Sequence, residues 1–146
     1  DVIQGGGLNP RPAVAEAAND VRDLPLLGKI AAGTPIAAIQ HERERLPVPE
    51  AMLGAGEHYL LEIEGDSMIE AGILDGDLVA VRRSTEARDG QIVVARLDGE
   101  LTIKRLSRAG NALRLLPRNP AYAPIVVEPG QEFAIEGVFC GLVRHG

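Results

Sequence analysis

The sequence predicts a mainly β fold, a compact domain of short strands and hairpins. Short apolar runs rich in Val, Ile and Leu recur along the chain, and turn residues such as Asp75-Gly76-Asp77 and Asp98-Gly99 separate them. Long helices do not dominate the apolar pattern. A chain of 146 residues suits one core. A domain of about 150 residues buries roughly 68–70% of its unfolded surface. Aromatic residues are only 3%, with no Trp, so Val, Ile, Leu and Ala must fill that core.

Taken in order, the chain begins with a Gly- and Pro-rich stretch, Asp1 to Pro12, which reads as a flexible connection. Gly5-Gly6-Gly7 lacks the Lys and following Ser or Thr of a phosphate loop. Ala13, Ala15, Ala17 and Ala18 allow a short helical turn that Asn19-Asp20 ends, and residues 1–23 are expected to be linker. The domain is expected over residues 24–146. From Leu24 to Ile30 the chain is apolar, then small residues take over in Ala31-Ala32-Gly33-Thr34-Pro35. On its own that segment is a loop stopped by proline. It is also a stretch whose backbone can enter a narrow site without side-chain clash.

Leu46-Pro47-Val48-Pro49 is extended by its prolines, and Ala51-Met52-Leu53 suits one turn of helix. Tyr59 to Ile63 and Leu78 to Val81 read as strands. Gly65 supplies a positive φ for the sharp turn that presents Ser67 between them. Gln91 to Leu97 and Leu101 to Leu106 flank Asp98-Gly99, the strongest hairpin signal in the chain. A two-residue loop there puts Leu97 opposite Glu100 and Val93 opposite Lys104. Further strands are expected at Ala112–Leu116, Ile125–Val127 and Glu132–Val143.

Charge narrows the function. Fifteen Lys plus Arg against 21 Asp plus Glu give a net charge of −6 and a pI near 5.1, unlike a nucleic-acid-binding module. Arg43-Glu44-Arg45, offset by Glu42, reads as a solvated loop. Cys140 is the lone cysteine, so neither an intrachain disulfide nor a Cys-based metal site can form, and a buried inert thiol is expected. His41, His58 and His145 show no ligand spacing and read as surface or loop residues; no metal or cofactor is expected. No apolar stretch reaches 18 residues and no charged, apolar leader opens the chain, so a cytoplasmic location without membrane contact is expected.

Gly65-Asp66-Ser67 alone is ordinary turn chemistry. Lys104 adds to it, because Thr102, Lys104 and Leu106 share one face of an alternating strand, where the ammonium has an apolar neighbour. A Gly-x-Ser-x-Gly elbow and a Ser-x-x-Lys helix are both absent. A Ser-His-Asp triad stays open, since triads are spatial, although nothing points His58 at Ser67. A lysine acting as base must be buried, because the exposed ammonium has a pKa of ~10.4 and stays protonated at neutral pH.

These residues resemble the LexA-type self-cleaving repressors and, more distantly, UmuD-like proteins and bacterial signal peptidases. The similarity covers Leu24 to Arg144 and rests on Ala31-Ala32-Gly33, Gly65-Asp66-Ser67-Met68 and Thr102-Ile103-Lys104-Arg105-Leu106, in that order. Leu115-Leu116-Pro117-Arg118-Asn119 and Ile135-Glu136-Gly137-Val138 also fit. The resemblance implies a serine peptidase with a Ser–Lys dyad. Ser67 would be the nucleophile and Lys104 the general base, with cleavage between Ala32 and Gly33 and an oxyanion hole of the Asp66 and Ser67 amides. The residue before the serine varies in the family, so the Asp66 side chain is expected to do no chemistry. The resemblance further implies a homodimeric repressor of the DNA-damage (SOS) response. It would bind operator DNA through an N-terminal winged helix-turn-helix outside this stretch, and a RecA filament on single-stranded DNA would promote cleavage. A UmuD-like polymerase subunit, a signal-peptidase-like protease and a purely structural dimerisation module are the alternatives.

Overall fold

The structure, a computed structural model, describes residues 20–31, 36–37 and 44–143. Its strands, in chain order, are β1 (Val21–Ala31), β2 (Ile36–Ala37), β3 (Glu44–Pro49), β4 (His58–Glu64), β5 (Leu78–Arg83), β6 (Ile92–Leu97), β7 (Glu100–Ala109), β8 (Ala112–Leu116), β9 (Ile125–Val127) and β10 (Phe133–Val143). They form a single sheet in the order β9-β8-β7-β6-β10-β5-β4-β1-β3, with β2 added to β7. The mainly β expectation holds, and Ala51-Met52 fall in a 3₁₀ turn, Glu50–Met52.

Asp98 and Gly99 take φ values of 51° and 85°, the doubly left-handed geometry whose twist suits a two-residue hairpin. Register follows as expected: Leu97 faces Glu100, Val94 faces Ile103 and Val93 faces Lys104. Because side chains alternate along a strand, β6 sends Val94 into one buried cluster and Val93 and Ala95 into another. β5 divides likewise, Val79 and Val81 against Leu78 and Ala80.

β10 joins the halves of the sheet by pairing with β6 along its first part and β5 along its second. Its register shifts between Ile135 and Gly137 and again between Phe139 and Gly141, and such bulges bend and twist a strand. The sheet curls enough for β1 to pack against β7, although four strands lie between them in the sheet order. Ile30 of β1 therefore shares the central cluster with Leu101 and Ile103 of β7, alongside Leu61 and Ile63 of β4.

Three features depart from the sequence reading. β1 starts at Val21, so Val21 to Asp23 pair with Pro49 to Pro47 rather than continuing the linker; residues 1–19 lie outside the described residues. Pro25 pairs with Arg45 of β3 but precedes the ladder to β4, which begins at Leu26. Glu44 and Arg45, expected in a solvated loop, open edge strand β3; they stay exposed, with Arg45 Nη2 donating to the Asp23 carbonyl at 3.0 Å. β1 also pairs with β4 in parallel, a long-range match no local pattern announces.

Gly137 sits where β10 passes from β6 to β5, against neighbours that leave no room for a side chain. A Cβ there would lie 2.3 Å from Val81 Cγ1, 2.8 Å from the Tyr59 hydroxyl and 2.9 Å from the Arg82 carbonyl. Gly137→Ala should therefore cost at least ~1–3 kcal/mol through overpacking. Urea unfolding should show a lower midpoint with an unchanged slope; an unaltered midpoint would show that β10 can shift to make room.

Candidate active site

Ser67 lies in the connection from β4 to β5, which its own acidic residues close. Gly65 turns the chain with φ 104°, as expected, and its N–H donates to Asp75 Oδ1 at 2.8 Å. The Leu74 N–H donates to Asp77 Oδ2 at 2.8 Å, while the Gly76 N–H reaches the Ile63 carbonyl at 2.7 Å. A 3₁₀ turn, Ile69–Ala71, follows and ends at Gly72 in the left-handed region. Met68 and Ile73, both fully buried, fasten this loop to the central cluster.

A second strap holds the turn from across the sheet. The Arg118 N–H donates to the Ser67 carbonyl at 2.7 Å, and the Glu70 N–H returns a bond to the Arg118 carbonyl at 2.8 Å. Arg118 follows the end of β8, whose Leu116 pairs with Arg105 of β7. The residues holding Ser67 thus continue a strand laid beside the one that carries Lys104. Topology, rather than proximity in sequence, brings the two elements together.

Ser67 is 0% exposed, and its Oγ finds no hydrogen-bond partner among the described residues. A buried hydroxyl left unsatisfied costs about 1–3 kcal/mol, and such groups call for a functional explanation. Lys104 is 2% exposed, flanked on its face by Leu106 and opposite Val93, both fully buried. Its Nζ donates to Thr102 Oγ1 at 2.7 Å, so it shares no hydrogen bond with the serine here. Desolvation lowers the Lys104 pKa to about 8. Relative to its ordinary value, that raises the neutral fraction at pH 7 roughly 300-fold.

Thr102 is the member of the site that the sequence left without a role. It is fully buried and two residues from Lys104 on the same strand face. That spacing was its visible signal, though a strand threonine is common enough to carry no message alone.

His58 is buried at 4% exposure rather than on the surface or in a loop. It opens β4, paired with Arg82, and its Nδ1 lies 3.0 Å from the Gly56 carbonyl and 3.1 Å from Arg22 Nη1. Six residues at about 3.3 Å each separate it from Glu64, at the Ser67 end of the strand, which disposes of a triad with Ser67. His41 and His145 lie outside the described residues. Cys140 is half-buried, and burial pushes its thiol pKa up.

Ala32 and Gly33 also lie outside the described residues, but the backbone on either side of them is placed. Ala31 pairs with Glu64, three residues before Ser67, and Ile36 pairs with Leu101, three residues before Lys104. The intervening segment is therefore tied at one end to the serine's strand and at the other to the lysine's.

The Peptidase S24-like family description matches residues 25–140. The chain belongs to the peptidase S24-like family. It is similar to LexA repressor 1 of Xanthomonas campestris pv. campestris, 58% identical over 123 residues, which are 84% of this chain and 61% of the relative. LexA repressor 2 of Pseudomonas putida is 57% identical over 126 residues, 86% of this chain and 62% of the relative. The LexA repressor of Bordetella avium is 48% identical over 135 residues, 92% and 63% respectively. The chain thus spans 61–63% of the length of these relatives.

In this S24-like domain the buried lysine carries a stability signature. Its folded pKa lies below its unfolded value, so the unfolded chain binds more protons between about pH 8 and 10.5. The penalty for burying the amine is full below pH 8 and fades as pH rises through that window. Its size is on the order of 3 kcal/mol. Lys104→Met, which keeps the volume without the charge, should raise the unfolding temperature at pH 7, and that gain should shrink toward pH 10. A gain equal at both pH values would place the cost in packing rather than in charge.

Proposed function

We propose that this chain is the self-cleaving part of a LexA-type repressor of the DNA-damage (SOS) response, and that Ser67 and Lys104 cut the bond between Ala32 and Gly33. Neutral Lys104 takes the proton from Ser67 Oγ, which attacks the Ala32 carbonyl. The Asp66 and Ser67 amides receive the developing oxyanion, and the Gly33 amine leaves after taking up a proton. Water then attacks the Ser67 ester of Ala32, releasing the new carboxylate and restoring the hydroxyl.

One observation carries the reading: a serine hydroxyl and a lysine amine, both buried, lie on elements between which the Ala31 to Ile36 segment is strung. Burial supplies the neutral amine that general-base work requires. The tether supplies proximity, and effective molarities of up to about 10⁵–10⁸ M compensate for a base that is mostly protonated at neutral pH.

The relatives named as LexA repressors favour this reading over a UmuD-like subunit or a signal peptidase. It includes a homodimer in the cytoplasm, operator DNA bound through an N-terminal domain outside this stretch, and promotion of cleavage by a RecA filament on single-stranded DNA. A filament that prefers the conformer with the segment docked raises the rate by shifting that population. Cleavage severs the DNA-binding half from its dimerisation domain. The second half-site then loses the effective concentration that the dimer provided.

The self-cleavage rate constant should rise about tenfold per pH unit below pH 8 and level off above it, following the neutral fraction of Lys104. It should not change with protein concentration. Mass spectrometry should place the cut between Ala32 and Gly33, and folded Ser67→Ala and Lys104→Ala variants should stay intact. A rate flat from pH 6 to 10, or normal cleavage in either variant, would refute the mechanism. Activated RecA filament should accelerate the same cut near neutral pH.

A further inference from the structure

The proposed oxyanion hole requires the Ser67 N–H to point at the scissile carbonyl, and the structure contains a device that can aim it. The Asp66–Ser67 peptide is a rigid plane whose carbonyl and N–H point to opposite sides. Whatever grips the Asp66 carbonyl therefore sets the direction of the Ser67 N–H. That carbonyl accepts a hydrogen bond from Asn119 Nδ2 at 2.8 Å. It also accepts the Ile69 N–H at 3.2 Å, but Ile69 belongs to the same turn and moves with it. Asn119 comes from the segment after β8 and serves as an external anchor.

We infer that Asn119 is a positioning residue for the nucleophile turn, its side-chain amide holding the Asp66 carbonyl so that the Ser67 N–H faces the oxyanion. The inference rests on the Ser–Lys reading above. The Asn119 side chain is itself fixed at both ends, because its Oδ1 accepts the Ala121 N–H at 2.9 Å, which leaves Nδ2 directed at Asp66. Two further bonds press the same surfaces together: the Arg118 N–H to the Ser67 carbonyl, and the Tyr122 hydroxyl to Asp66 Oδ1 at 2.6 Å. The Asp66 side chain thus has a role, as a handle on the turn rather than as a chemical group. Lys104 touches none of these bonds, so loss of the anchor should misalign the donor and leave the base as it is.

The separation of donor from base makes the idea testable by pH profile. In Asn119→Ser the hydroxyl can still accept the Ala121 N–H as a local turn bond but is too short to reach the Asp66 carbonyl. The plateau rate of self-cleavage should fall about 10- to 100-fold, the scale of a misplacement on the order of 1 Å, with the midpoint held near pH 8. Asn119→Asp keeps the shape and the Ala121 contact but replaces the donor by an acceptor, and its plateau should fall at least as far. It also serves if the Ser variant does not fold, with thermal unfolding checking both. An unchanged plateau in a folded variant would overturn the inference. So would a fall accompanied by a midpoint moving up toward 10.5, because that would mean water had reached Lys104 through a loosened core. Failure of the underlying reading is separable, since it would appear as no alkaline self-cleavage in the unsubstituted chain.

Discussion

A lysine that is 2% exposed has exchanged the hydration of an ammonium for contacts that include the Thr102 hydroxyl and a wall of hydrocarbon, and such burial favours the neutral amine over the charged one. The proposed chemistry depends on that exchange, and the exchange depends on register. One residue of slip in the β6–β7 hairpin would turn the shared face of Thr102, Lys104 and Leu106 to the other side of the sheet, away from Val93 and Ala95 of β6. The Asp98-Gly99 turn is therefore as much a part of the site as the residues in it. Its positive φ at Asp98, the only non-glycine so placed among the described residues, is the local cost of fixing that register.

The serine's side of the site is built on a different principle. Its turn contains little regular structure and is held from two directions, by Asp75 and Asp77 from within and by Arg118, Asn119 and Tyr122 from across the sheet. Met68 and Ile73 anchor it from below. A loop fastened this heavily holds its backbone still, as donors aimed at a developing charge must be. Ala31 pairs with Glu64 of β4 and Ile36 with Leu101 of β7, so the described backbone flanking the proposed cleavage site is held by the strands next to the serine turn and under the lysine.

Features governed by short-range rules were legible in the sequence. The Asp98-Gly99 hairpin gave the pairing of Val93 with Lys104, and Gly65 announced the turn at Ser67. The strands at Ala112–Leu116 and Ile125–Val127 could be placed from alternation and turn residues. Features that depend on which distant elements meet were not legible. The parallel pairing of β1 with β4 joins strands separated by β2 and β3. Burial of His58 depends on Gly56 and Arg22, and the grip of Asn119 on Asp66 spans 53 residues. Thr102 showed its position but not its partner, because a shared strand face says which side chains are neighbours and not which atoms bond.

The most direct test is a titration of the Lys104 amine itself. The chain's lysines are Lys29 and Lys104, so the side-chain carbon resonances of a lysine-labelled Ser67→Ala variant can be assigned by substituting Lys29 with Arg. The Lys104 resonance should titrate near pH 8 in the folded protein. A midpoint near 10.5 would show the amine hydrated and charged, and would remove the base on which the proposed mechanism rests.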